Sequence, residues 1–255
     1  MIWKAIGQSA TGTSHTTTGK PCEDSLHFRV YSSADGEQIL IACASDGAGS
    51  ASHGGWAANY ATTLCTKLLQ SHAASSLPLE EGDVYAIVEQ IYDGLKNEAD
   101  NNEIELAEYS CTLLGCYLTS SRSVFFQNGD GAIIRDDGNG YYIPVWWPHN
   151  GEYLNSTAFI IDSPSLGNLN IMVNEEPVNE LAIFTDGLQM LALNMESVNV
   201  HQPFFTGLFK YLRMADEPGK INVLDRKLAE YLDGKAINDR TDDDKTLFLA
   251  TRLSE

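Results

Sequence analysis

The chain has 255 residues, with 16 Lys and Arg against 35 Asp and Glu, a formal net charge of −19. Such a field repels phosphate backbones and excludes nucleic acid as a partner. Hydrophobic residues make up 43% and charged residues 20%, an ordinary globular mixture, and no apolar run approaches the ~18 residues of a membrane span.

The start, Met1-Ile2-Trp3-Lys4, lacks the pattern of a signal peptide. No internal repeat or linker-like stretch divides the chain, so one domain over residues 1–255 is expected. Strand patterns come first, at Ala5–Gly7, Leu26–Val30 and the apolar run Ile39–Ala44. A helix is expected over Ala57–Leu68, capped from Ser50–His53, and a second over Val84–Leu95, capped by Asp83. Strand signals return at Cys111–Leu118, Val124–Gln127, Ala132–Arg135, Tyr141–Val145, Ala158–Ile161 and Leu181–Phe184. Proline marks the first turn of two further helices, Pro203–Leu212 and Pro218–Leu232, and Leu247–Thr251 is a closing strand. The stretch from Trp146 to Asn179 carries several breaker residues and reads as largely irregular, in the manner of a flap beside a site. Five cysteines, odd in number and without a CxxC pair, predict reduced thiols and a cytoplasmic protein. Cys43, Cys65 and Cys116 lie in apolar stretches and should be buried.

Acids recur at strand ends. Asp46 follows the Ile39–Ala44 run and precedes Gly47. Asp130 sits in Gly129-Asp130-Gly131, Asp186 precedes Gly187, Asp243 stands just before Leu247, and Glu23-Asp24 heads an early strand. Any one of these is an ordinary turn former. Taken together they can converge at shared sheet edges, where unpaired carboxylates repel and divalent cations relieve the repulsion. Glycine after the aspartate lets a backbone carbonyl approach an ion.

These residues, in this order, resemble the protein phosphatase 2C family of metal-dependent Ser/Thr phosphatases. The segments that carry the resemblance are Gly12–His15, Cys22–Ser25, Ser45–Ser50, Cys111–Leu113, Gly129–Gly131, Thr185–Leu188 and Asp243–Thr246. The resemblance implies an α+β fold, a four-layer αββα sandwich of two antiparallel sheets flanked by helices. It implies two core Mn²⁺ or Mg²⁺ ions and a third, weaker one. By position, Asp46 bridges the core ions, the Gly47 carbonyl and Glu23 serve one of them, and Asp186 and Asp243 hold the other. Asp130, with Asp186, serves the third. Asp46, Asp186 and Asp243 are thereby the catalytic acids. Two ions roughly 3.5–4 Å apart activate a water for in-line attack on phosphorus.

Two positions depart from the family pattern. Ala48 stands where many members have a histidine after Asp-Gly, and Gly19 where many have a phosphate-gripping arginine. Lys20 and His15 are the nearby cations and become the expected phosphate-binding residues. The reading is a compact, bacterial-type phosphoserine/phosphothreonine phosphatase in signalling, with phosphorylated proteins and a cognate kinase as partners and no membrane. Its rival is a catalytically weak phosphoprotein-binding module on the same fold, which Ala48 and Gly19 favour; hydrolysis of a small phosphorylated metabolite is a third reading.

Overall fold

The computed structural model describes residues 2–33, 36–75, 77–148, 157–162 and 167–254. The strands are β1 (Lys4–Ala10), β2 (Asp24–Ser32), β3 (Gln38–Asp46), β4 (Leu113–Leu118), β5 (Ser123–Asn128), β6 (Ala132–Asp136), β7 (Tyr142–Pro144), β8 (Asn170–Asn174), β9 (Glu180–Phe184), β10 (Leu193–Asn194), β11 (Asn199–Val200), β12 (Gly219–Lys220) and β13 (Lys245–Thr251). The helices are α1 (Thr13–Thr18), α2 (Gly54–Ala73), α3 (Glu81–Asn102), α4 (Gln189–Ala192), α5 (Gln202–Arg213), α6 (Asn222–Leu232) and α7 (Lys235–Asn238). The class is α+β, as expected. Among the described residues, no helix is long and apolar enough to cross a membrane.

The chain divides into two compact units. One takes Glu23–Asp130 and Pro148–Pro177, the other Met1–Cys22, Gly131–Trp147 and Val178–Glu255. The first is built on a five-stranded antiparallel sheet in the order β2-β3-β4-β5-β8. Strand β3 is fully buried from Leu40 to Ser45 because it is apolar on both faces. Ala57, Ala61, Cys65 and Leu69 recur at helical spacing on α2 and pack with Ile41 and Cys43 in one core cluster. Leu69 is fully buried there, and Leu69→Ala would cost roughly 2–5 kcal/mol. Helix α3 adds Val84, Val88, Ile91 and Leu95 to the same cluster.

The second unit is built on a six-stranded sheet, β12-β1-β13-β9-β6-β7. Its strands pair antiparallel except the short edge strand β12, which runs parallel to β1. Phe205, Phe209 and Leu212 of α5 and Leu228 and Leu232 of α6 share a cluster with Ile6, Phe184, Leu247 and Leu249 of the sheet. All five cysteines are free thiols, and Cys43, Cys65, Cys111 and Cys116 are buried. Burial pushes the Cys111 thiol up to about 12, so it stays protonated and inert.

Several expectations fail locally. Helix α3 is capped not by Asp83 but by Glu80, with Asp83 completing a capping box as the third residue. His53 starts α2 without a side-chain capping bond; its ring stacks on Tyr109, with centroids 4.8 Å apart. Pro218 lies outside α6, which begins at Asn222 after the edge strand β12. In the Trp146–Asn179 stretch, Ile160–Asp162 is a 3-10 turn rather than a strand, and Asn170–Asn174 is the strand β8 that closes the sheet. The rest of the expected flap, residues 149–156 and 163–166, lies outside the described residues.

Candidate metal centre

In the first unit, Glu23, Asp46 and Gly47 come together at one end of the β2–β3 pair. Asp24 sits opposite Asp46 in register, and the Gly47 N–H donates to the Glu23 carbonyl at 3.1 Å. Thr112 clamps Asp46: its Oγ1 accepts from the Asp46 N–H at 2.9 Å, and its own N–H donates to the Asp46 carbonyl at 2.8 Å. A Cβ on Gly47 would lie 2.2 Å from the Gly54 carbonyl carbon, so the Asp46-Gly47 turn packs backbone to backbone on the start of α2. Glycine is therefore required at position 47 by close approach.

Asp130 joins this group through the same threonine. Gly129 has a φ of +118°, in the region that favours glycine, and an added Cβ would lie 2.5 Å from the Thr112 Cβ. The Asp130 loop thus rests on the residue that clamps Asp46. Thr157 Oγ1 donates to Asp130 Oδ2 at 2.6 Å, orienting that carboxylate. No spacing pattern tied Thr157 to Asp130, because the pairing spans 27 residues. Glu23 is buried, while Asp46 and Asp130 are half-buried.

In the second unit, the loop after β9 and the loop before β13 meet. A Cβ on Gly187 would lie 2.0 Å from the Asp244 carbonyl oxygen and 3.5 Å from the Asp243 Cβ, so Asp186-Gly187 is seated directly on Asp243-Asp244. Gly12 closes the other side, its would-be Cβ 2.3 Å from the Asp243 carbonyl carbon. Asp244, 3% exposed, accepts from the Gly12 N–H at 2.7 Å and faces His15 Nδ1 at 3.0 Å. Both its oxygens are used inside the protein, which marks it as a fastener rather than an ion ligand. Lys245 is fully buried and holds the Thr11 carbonyl and Asn238 Oδ1, at 3.3 and 2.8 Å. Neither fastening was legible in Asp242-Asp243-Asp244-Lys245, since the partners Gly12, His15 and Thr11 lie more than 200 residues away in the chain.

Burial pushes the Asp243 carboxyl above its ordinary value. The charges of Asp244 and Asp242 add to that push, while the Asp244 N–H and His15 oppose it. Asp243 is exposed as a residue, so solvent screens the effect. A cation would favour the ionised form that these neighbours disfavour.

His15 lies in the helix α1, and Lys20 in the irregular chain that follows it. Thr13–Thr18 is helical, ended by Gly19 at φ 72° in the left-handed region. Thr16, Thr17 and Thr18 turn their hydroxyls back to the carbonyls of Gly12, Thr13 and Ser14. Gly19 is thus a helix C-cap, where an arginine would be strained. His15 is held against Asp244, and Lys20 is exposed.

Glu23, Asp46, Gly47 and Asp130 are grouped in one unit, and Asp186, Asp243, His15 and Lys20 belong to the other. Among the described residues, no group of three or more His, Cys, Asp or Glu side chains is gathered closely enough to hold an ion. The donors are hard carboxylate oxygens with glycine carbonyls beside them, with neither thiol nor imidazole in the set. That chemistry fits Mg²⁺ or Mn²⁺.

The sequence model of the family described as protein phosphatase 2C matches residues 11–233. Serine/threonine-protein phosphatase 3 of Escherichia coli (strain K12) is 35% identical over 251 residues, covering 98% of each chain. Among solved structures, a bacterial serine phosphatase shares the fold with a TM-score of 0.63 at 15% identity, over 98% of each chain. RsbX, solved in complex with magnesium, shares it with a TM-score of 0.56 at 15% identity, over 98% of this chain and 95% of its own.

Proposed function

The chain belongs to the protein phosphatase 2C family, and we infer that it is a metal-dependent serine/threonine protein phosphatase. Glu23, Asp46 and the Gly47 carbonyl would serve one core ion, and Asp186 and Asp243 the other. Asp130 and Asp186 would be ligands of a third, weaker ion. The observation that carries this reading is the fixing of each acid loop by a close approach only glycine allows, to backbone at Gly47 and Gly187 and to the Thr112 side chain at Gly129. Five alternating chain segments build the two units, which supports their folding as one domain.

When bound, Mn²⁺ or Mg²⁺ supplies an activated water and neutralises charge on the phosphoryl oxygens. This chain's residues do the positioning. Thr112 fixes the Asp46 backbone, Thr157 orients the Asp130 carboxylate, and Asp244 fastens Gly12 and His15 to the loop that presents Asp243. Lys20 lies at the surface and is assigned to the substrate phosphate. His15, the other proposed phosphate contact, is held against Asp244 at 3.0 Å. Ala48 is buried, with its N–H bonded to the Ser110 carbonyl, so no side chain at that position reaches a leaving group.

The substrates are phosphorylated proteins, with a cognate kinase making the phosphoserine and phosphothreonine removed here. Five free thiols support a cytoplasmic setting. The test is phosphate release from a phosphothreonine peptide with Mn²⁺, with EDTA, and with Mn²⁺ restored. Release with Mn²⁺ only is expected. Tight peptide binding with no release would select the binding module instead, the reading that Ala48 and Gly19 favour.

A further inference from the structure

At the end of the second unit's sheet opposite its acid loops lies a cavity of about 430 Å³. Strands β1 and β13 pair from Ala10 opposite Lys245, near Asp243, to Lys4 opposite Thr251. That is ~20 Å of strand, so the cavity is distinct from the proposed ion ligands. Its ionised lining is Lys4, Arg213, Arg252 and one acid, Asp216. In a chain where acids outnumber Lys and Arg 35 to 16, this reversal of sign marks the place.

Lys4 is the decisive residue. Its side chain is buried, 9% exposed, and no carboxylate lies within ion-pair distance of its ammonium among the described residues. Nζ donates to the Arg213 carbonyl at 2.5 Å, at the C-terminal turn of α5. A helix C-terminus accounts for one of three ammonium donors. The other two have no protein acceptor among the described residues, and a buried unpaired charge is costly to keep. The neighbouring cations are held in place. Arg213 Nε bonds Glu180 Oε1 at 2.9 Å, and Arg252 Nε bonds Asn179 Oδ1 at 3.1 Å while its guanidinium stacks on Trp3 at 4.9 Å. Ile2, Met214 and Pro218 supply apolar wall. The volume lies within the roughly 300–1,000 Å³ of small-molecule sites.

We propose that this cavity is a second anion site, taking a small phosphate-bearing ligand whose charge meets Lys4 and Arg252 and whose body rests on Ile2, Met214 and Pro218. It does not depend on the phosphatase reading, since none of its residues is assigned to hydrolysis. The test is calorimetric titration of the full chain in EDTA, where ions cannot recruit the probe, with pyrophosphate and adenosine 5′-monophosphate as probes and citrate as the carboxylate comparison. Wild type should bind the phosphate probes more tightly than citrate. Lys4→Met keeps the buried stem and should weaken binding roughly tenfold or more. Asp216→Asn, at an exposed position, should tighten it roughly two- to threefold. Unchanged affinity in Asp216→Asn and in folded Lys4→Met overturns the proposal. Preference for citrate overturns the phosphate assignment.

Discussion

Replacing Gly187 by alanine tests whether the contact between the two loops of the second unit positions the reaction. The new methyl would lie 2.0 Å from the Asp244 carbonyl oxygen, whereas ordinary contact begins at 3.4 Å. The obstacle is backbone, so one of the loops must move by about 1.4 Å. Overpacking of this kind costs ~1–3 kcal/mol. At ~2–4 °C per kcal/mol in a domain of this size, Tm should fall by roughly 2–12 °C. The displaced loops carry Asp186 and Asp243, and a misplacement of ~1 Å costs roughly a hundredfold in rate. The assays are kcat/KM on a phosphothreonine peptide at saturating Mn²⁺ and Tm by calorimetry. Gly207→Ala is the comparison. It lies inside α5 with nothing within 4 Å of the added methyl, and it should stabilise by ~0.4–1 kcal/mol with unchanged rate. A Gly187→Ala protein with wild-type Tm and kcat/KM would refute the reasoning.

Asp243→Asn should separate stability from function. The folded carboxyl titrates above its ordinary value, so its contribution favours the fold below the unfolded pKa of ~3.9 and is lost as pH rises through the folded value. At neutral pH the metal-free Asp243→Asn protein should therefore melt above metal-free wild type, yet lose the rise in Tm that Mn²⁺ gives; a lower metal-free Tm would contradict this. Asp130→Ala should keep core-ion binding near wild type while lowering the rate, measured by Mn²⁺ titration and phosphate release, and loss of the core ions would overturn its assignment. Lys20→Ala should raise KM or lower kcat/KM roughly tenfold, about 1.4 kcal/mol; unchanged kinetics would remove it from phosphate binding.

The elements most legible in the sequence were those with strong periodicity. The Ile39–Ala44 run could only be a strand buried on both faces, and Ala57 to Leu68 could only be an amphipathic helix. The acid loops were legible because Asp-Gly after an apolar run is a local signal. What escaped depends on distant partners or weak propensity. Helix α1 is a threonine-rich turn whose hydroxyls bond back to the preceding turn, and threonine is a poor helix former. Strand β8 forms because β5 offers it an open edge, which no feature of Asn170–Asn174 announces. The burial of Asp244 and Lys245 follows from Gly12, Thr11 and Asn238 closing over them, the first two distant in the chain.

Titration calorimetry of Mn²⁺ into wild type and Asp46→Asn tests most directly the claim that one set of acids, bridged by Asp46, holds the ions for hydrolysis. Wild type should take up two ions tightly, and Asp46→Asn should lose affinity for both while keeping its fold. An Asp46→Asn protein that binds two ions as tightly as wild type would contradict the account.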